Sequence, residues 1–496
     1  MKKGLTSIDE IAGRDQREVV IPEGYTKIGD EAFKDCTLLE KVVIPRSVIK
    51  IGYRAFQNCT SLTGVVIPRS VLEIKEEAFY GCTSLASVEI CNSFLENAAH
   101  VYKDVAPASI GMLLSAAAHI AQQAIEFGKT TINGGVIPSS TVRIGPGAFK
   151  NCGSLRSMVI PDTVKSIGPR TFENCKALRR VEIPNTVLDI GPEAFALCDS
   201  LETINVAPDN SVLCSVDGAV YSKDRRYLYC VPKSVRTFVI PDTVTTIGEY
   251  AFKDCPFLER VKIPESVIEI KKGAFYGCKA LARVKFPNSV RKIGDWAFCG
   301  CKSLVNVVIP EFAETIGKSA FEGCTSLRNV YIPDFVAEIA DSAFERCVSL
   351  RDVVIPKSVT KLGWHVFYGC TALEGANISA SVAEIGPKMF FGCKALADVV
   401  LPPTLTKIAM GAFEDCEALV SIALPESLTA IGVDAFRGCK ALADVVIPDS
   451  AVRIEFGAFR GCTSLATVEV SSSARWETDT FRDCPKLKIV RRRPRK

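Results

Sequence analysis

The sequence predicts a curved α/β repeat solenoid, with a parallel β-sheet on its concave face and short helical turns or irregular structure on its convex face. Three observations predict it. Cys36, Cys59 and Cys82 stand 23 residues apart, as do Cys152, Cys175 and Cys198, and the series from Cys255 to Cys462 keeps the same step. Cys484 closes it one residue early, so 17 of the 21 cysteines share one register. Each is preceded three residues earlier by phenylalanine, from Phe33, Phe56 and Phe79 to Phe459 and Phe481. Between them lies a short alternating apolar stretch, usually closed by proline. Self-similarity at such a period is the signature of stacked coils, none of which can bury a core alone.

One coil shows the grammar. Val65 and Ile67 alternate with period two, as in a half-buried strand, and Pro68 ends the ladder because it has no N–H to donate. Val71 and Ile74 begin the return path. The glycine that often follows the isoleucine (Gly52, Gly168, Gly294) is expected to permit a positive-φ bend. Ala78-Phe79 is expected to form a short helical turn, with Phe79 as the core wedge and Cys82 as a small buried hydrophobe. Strands of this kind recur from Val19–Ile21 to Val468–Val470, and at roughly 4.8 Å per strand the array would run about 90 Å along its arc.

The motif Leu-x-x-Val-x-Ile-Pro-x-x-Val-x-x-Ile-Gly-x-x-Ala-Phe-x-x-Cys, repeated from Glu18 to Cys484, closely resembles the BspA-like, treponemal-type leucine-rich repeat family. The resemblance implies a leucine-rich-repeat solenoid. It also implies adhesion, since such proteins typically sit at the cell surface or are secreted and bind host matrix proteins, other microbes or innate receptors. A second family feature is Ser215-Val-Asp217-Gly218, leading to Tyr227-Leu-Tyr229-Cys-Val-Pro232, which looks like the small β-hairpin inserted between rungs.

The organisation that follows is an N-terminal cap at 1–17, where Ser7-x-x-Glu10 suggests a capping box, and repeats at 18–91. Residues 92–135 are degenerate repeats or a helical insertion. Repeats resume at 136–206, a hairpin excursion occupies 207–233, repeats fill 234–490, and a basic tail ends the chain at 491–496. Within 92–135, Ile110, Leu113, Leu114, Ala117, Ile120, Ala121, Ala124 and Phe127 fall at helical spacing.

The formal charge is only +4, and the eleven C-terminal residues carry seven of the positive charges, so no whole-protein nucleic-acid footprint exists. The tail Arg491–Lys496 offers weak contacts to phosphates or acidic partners at most. No apolar run suits a membrane span, and the lysines at the start are not followed by the apolar core of a signal peptide. The family therefore points to the cell surface, whereas the N-terminus and the many thiols point to the cytoplasm. The sequons at Asn58 and Asn377 are too few to decide.

No enzyme is expected. The histidines His100, His119 and His365 do not fall at metal-ligand spacing. Gly128-Lys129-Thr130 and Gly317-Lys318-Ser319 lack the first glycine of a phosphate loop, having Gln123 and Phe312 in its place. No Cys-x-x-Cys occurs, and the ladder cysteines read as free thiols. Cys214 and Cys230 flank the hairpin and could pair in an oxidising compartment. No cofactor, metal or small-molecule substrate is implied.

Binding is the function that remains. The residue between the inward Val and Ile of each strand faces away from the core, and ten of the nineteen such positions are valine. Arg260, Lys262, Arg283 and Lys285 cluster on adjacent coils, with Arg291 and Lys292 just after, while Asp352, Asp398 and Asp444 recur on alternate coils. The expected partner-binding residues are Val239, Arg260, Lys262, Arg283, Lys285, Val308, Tyr331, Val354, Val400 and Val446. This surface suits a protein or a glycan better than a small molecule. An intracellular interaction scaffold is the alternative to adhesion.

Overall fold

The structure is a computed structural model that describes residues 15–68, 70–91, 135–136, 142–160, 162–451, 453–477 and 479–492. The capping box at Ser7, the helical pattern within 92–134, His100, His119 and the tail beyond Arg492 lie outside the described residues. The chain divides into two compact units, Met1–Lys223 with Val231–Lys233, and Asp224–Cys230 with Ser234–Lys496.

Each unit is a solenoid of parallel strands, two per coil. In the first, Glu18–Val20 pairs with Lys41–Val43 and that with Gly64–Pro68, always in a register of 23 residues. A second ladder joins Lys27–Ile28, Lys50–Ile51 and Glu73–Ile74 in the same register. The second unit repeats the plan, with eight first strands running from Thr237–Val239 to Asp398–Val400. No strand forms around Ala423, so the first-strand sheet stops there and resumes at Asp444–Val446.

Within each unit the coils share one core. Phe33, Phe56 and Phe79 are fully buried and stack face to face at 5.1 Å with nearly parallel rings. The second unit has a stack of its own, with Phe298, Phe321 and Phe344 at 5.4 Å. Each such side chain removed from water stabilises the coil by roughly 1.5–3 kcal/mol, but only when a neighbouring coil covers its faces.

The expected helical turns are absent: among the described residues there is no helix. The Ala-Phe segment is instead a chain of turns with alternating bonds. Ala55, Gln57 and Cys59 donate their N–H three residues back, whereas Arg54, Phe56 and Asn58 donate to Glu76, Ala78 and Tyr80 on the next coil. Left-handed φ values at Arg54 (51°) and Asn58 (58°) turn these N–H groups along the solenoid, which a right-handed helix cannot do. The second of these positions is often Gly, Asn or Asp (Asp35, Gly81, Asn151, Asn174, Gly277), residues that tolerate this conformation.

A second correction concerns the glycine after the isoleucine. Gly52, Gly168 and Gly294 do not have positive φ. A Cβ there would lie 2.6 Å from the backbone of Gly29, 2.7 Å from that of Pro146 and 2.8 Å from that of Lys271, respectively. At these three positions glycine answers the close approach of successive coils, not a bend.

All the ladder cysteines but Cys484 are buried, and they also donate. The Sγ of Cys59, Cys324 and Cys370 each reaches a phenylalanine carbonyl of the preceding coil, at 3.1, 3.2 and 3.2 Å. Burial pushes the Cys198 and Cys370 thiols up to about 12. At the end of the first unit, Leu213–Val216 pairs antiparallel with Ala219–Ser222. Asp217 and Gly218, both left-handed at 51° and 75°, make the tight turn between them.

Candidate ligand-binding face

The first-strand face of the second unit holds the candidate residues. Along each strand the central residue points into the core and its neighbours point to solvent, because side chains alternate across a pleated strand. Val261 is thus buried while Arg260 and Lys262 are exposed, and the same holds for Val307 beneath Val308. Val239, Val308, Tyr331, Val354, Val400 and Val446 are all at least half exposed, and Val239 reaches 65%. In the first unit the corresponding Val43, Val66 and Val159 are only partly exposed.

Parallel register decides which residues meet. Arg260 lies beside Arg283 and Lys262 beside Lys285, with Val239 flanking Lys262. Val308 lies beside Tyr331. Asp352 and Asp398 flank Gly375 on one sheet, but Asp444 stands beyond the break at Ala423. Arg291 and Lys292 do not join the basic cluster. They belong to the second-strand side, where Lys292 stacks in register with Glu269 and Arg291 meets Glu314 at 3.7 Å.

Electrostatics distinguishes this face from the ladders of paired charge. In those ladders a cation pairs with an anion one coil away: Arg236 with Glu259 at 2.7 Å, Lys407 with Glu384 at 3.1 Å and Lys440 with Glu417 at 3.2 Å. Arg260, Lys262, Arg283 and Lys285 instead stack like charge on like charge, and none of them has an ion pair among the described residues. Like charges directly opposite on neighbouring strands destabilise a sheet, so this arrangement costs the fold something that the paired ladders do not.

The remaining sequence candidates resolve into scaffold. Gly317-Lys318-Ser319 is a coil turn, with Gly317 pressed against Gly294 and Ser319 left-handed and buried. His365 occupies a left-handed turn position beside the Tyr368 ring.

Two features escaped the sequence reading. The first lies at the corner after the strand. There a Ser or Thr usually donates to a carbonyl of the preceding coil, as Ser289 does to Val267 and Ser358 to Val336 (2.7 and 2.8 Å). Phe312 and Phe335 replace it on adjacent coils. They stand 47% and 49% exposed, with their rings edge to face at 5.7 Å. The signal was a break in the Ser/Thr column of the repeat. The second feature is Trp364, exposed beside a coil that has Ser379 where the motif has proline.

The family model described as BspA type Leucine rich repeat region matches in six copies, over residues 12–109, 120–216, 225–347 and 365–488. The chain is similar in structure to a leucine-rich repeat protein from Eubacterium ventriosum, at 21% identity and a TM-score of 0.52, over 86% of this chain and 91% of that one. It is also similar to a leucine rich cell surface protein from Faecalibacterium prausnitzii, at 30% identity and a TM-score of 0.50, over 71% of this chain and 88% of that one. No curated protein matches the chain. The repeat grammar, the paired ladders and these matches agree: the chain belongs to the BspA-type leucine-rich repeat family.

Proposed function

We propose that the chain is a non-catalytic binding solenoid that holds a protein or glycan ligand against the first-strand face of its second unit, as an adhesion or partner-binding protein. The observation that carries this reading is the in-register stack of unpaired cations, Arg260 on Arg283 and Lys262 on Lys285, beside exposed Val239. An anionic partner relieves that repulsion, and the exposed Val308, Tyr331 and Val354 supply apolar contact on the following coils. The adhesion reading draws on the Faecalibacterium prausnitzii neighbour, which is described as a cell surface protein. The many buried thiols favour a second reading, an intracellular scaffold working in a reducing compartment.

The test uses the purified chain on surfaces coated with heparin or with poly-L-glutamate at physiological ionic strength. Binding to at least one surface is expected, with at least tenfold loss in the double variant Lys262→Glu, Lys285→Glu. The control Lys407→Glu, on the second-strand side, is expected to bind normally. Equal binding by the strand-face variant removes the basic patch from the proposal.

A further inference from the structure

Among the described residues, the second-strand ladder of the second unit has one opening. Lys361–Leu362 is the last strand of one sheet and Glu384–Ile385 the first of the next, and they are not paired. Elsewhere each coil donates to its predecessor at this corner, as Thr360 N–H does to Ala337 and Gly363 N–H to Ile339 (3.0 and 2.8 Å). Neither Ala383 nor Gly386 makes the matching bond to Thr360 or Leu362. The coils also stand wider apart. A Cβ on Gly363, Gly317 or Gly191 would lie 2.4–2.5 Å from the preceding coil's backbone, whereas at Gly386 the nearest backbone atom is 3.4 Å away.

The sequence accounts for the opening. Pro356 and Pro402 close their strands, but Ser379 stands between them in register. Having an N–H, Ser379 adds a ladder bond to Ile355 at 2.9 Å, and the alternation of exposed and buried residues continues through Ala380 to Val382. The extended corner carries Ser381 out of the column in which Ser358 and Thr404 donate to the preceding coil. What results is a groove of about 480 Å³, lined among others by Glu338, Asp341, Thr360, Lys361, Ala383 and Glu384.

We propose that this groove is a subsite for a short neutral saccharide. Its lips present backbone acceptors at Thr360 and Leu362 and a donor at Ala383, a mixture that hydroxyl groups satisfy in both directions. Its charges nearly cancel, Lys318 and Lys361 standing against Glu338, Asp341 and Glu384: Lys361 meets Glu338 at 3.6 Å, Glu384 meets Lys407 at 3.1 Å, and Asp341 accepts the backbone N–H of Trp364 at 2.9 Å. A strongly charged ligand therefore gains little. Trp364 follows the lining Gly363, is 58% exposed, and has its Cδ1 3.0 Å from where a Gly386 Cβ would be, so the indole stands beside the groove as a platform for a sugar ring.

An inserted peptide strand does not fit. It would need roughly 4.8 Å on each side. The same two coils stay paired through Asp352–Ile355 and Gly375–Ile378, and Phe367 N–H still bonds Met389 at 3.0 Å.

The test is saturation-transfer NMR on the full chain with cellotriose, maltotriose and triacetylchitotriose. At least one of them is expected to receive transfer, and its affinity to fall at least tenfold in both Trp364→Ala and Ser379→Pro, the latter restoring the motif proline and closing the lips. Trp364→Phe is expected to retain binding. If none of the trisaccharides binds at about 10 mM, a free energy weaker than roughly 3 kcal/mol, the proposal falls. It falls equally if binding survives Trp364→Ala, which leaves the groove intact but removes the platform. Saccharide binding lost only in Lys262→Glu, Lys285→Glu would place the sugar on the strand face and overturn the subsite.

Discussion

At Cys370 a buried thiol points at the Phe344 carbonyl, and burial holds its ionisation up to about 12. An unfolded thiol ionises near 8.5. Below that value both states keep the proton and the full stability is present. Above it the unfolded chain loses protons that the folded chain retains, so stability falls with rising pH, by about 1.4 kcal/mol per thiol per pH unit until the folded value is reached. Cys198 behaves alike, and burial pushes Cys393 up as well. Urea midpoints should therefore be flat between about pH 6.5 and 8 and drop steeply above about pH 9. Changing Cys347, Cys370 and Cys393 together to alanine should make that alkaline slope shallower, and an unchanged slope would exclude the thiols as its cause. The Phe and Cys columns were legible because each recurs on one face at one period. The role of Gly52 was not, since a sequence shows that a side chain is missing but not whether φ or clearance demands it.

The corner column is the element that sequence reading could not interpret. Ser266, Ser289 and Ser358 look like ordinary turn residues, and only the stacked coils reveal a carbonyl 22 residues earlier that receives each hydroxyl. Restoring the column with Phe312→Ser and Phe335→Ser should stabilise the second unit by about 0.5–1.5 kcal/mol per bond, read as a higher urea midpoint. A lower midpoint would mean that the exposed ring pair supports the fold. The helical expectation failed at this scale for a related reason. Ala-Phe spacing fits a helical turn, but the N–H groups of Phe56 and Asn58 have partners on the next coil that no local pattern displays.

Across whole coils, the second-strand ladder runs directly from the coil before residue 92 to the coil after residue 134. Phe79 stacks on Phe149 at 5.5 Å, and Glu73–Ile74 pairs directly with Arg143–Ile144. Deleting residues 91–137 would join Ile90 to Pro138 and bring Phe149 and Cys152 to the regular 23-residue spacing after Phe79 and Cys82. The shortened chain is expected to remain folded, with a melting temperature unchanged or higher. Loss of cooperative melting would show that the deleted segment supplies part of the core. The solenoid itself was legible from the repeat alone. The candidate face was only half legible: the sequence names its charges, whereas register separates Arg260 and Lys262 from Arg291 and Lys292.

Because the two strands of a coil bond to those 23 residues before and after, a pull along the stack loads these contacts in series rather than in parallel. Within each unit tension is then met by the weakest junction, and the opening between Leu362 and Glu384 already lacks one of its ladders. Each coil that peels away releases about 75 Å of slack chain while its neighbours stay wound. A tether built this way yields in small steps, as a spooled line does, and its strand face keeps its register on every coil that has not yet let go.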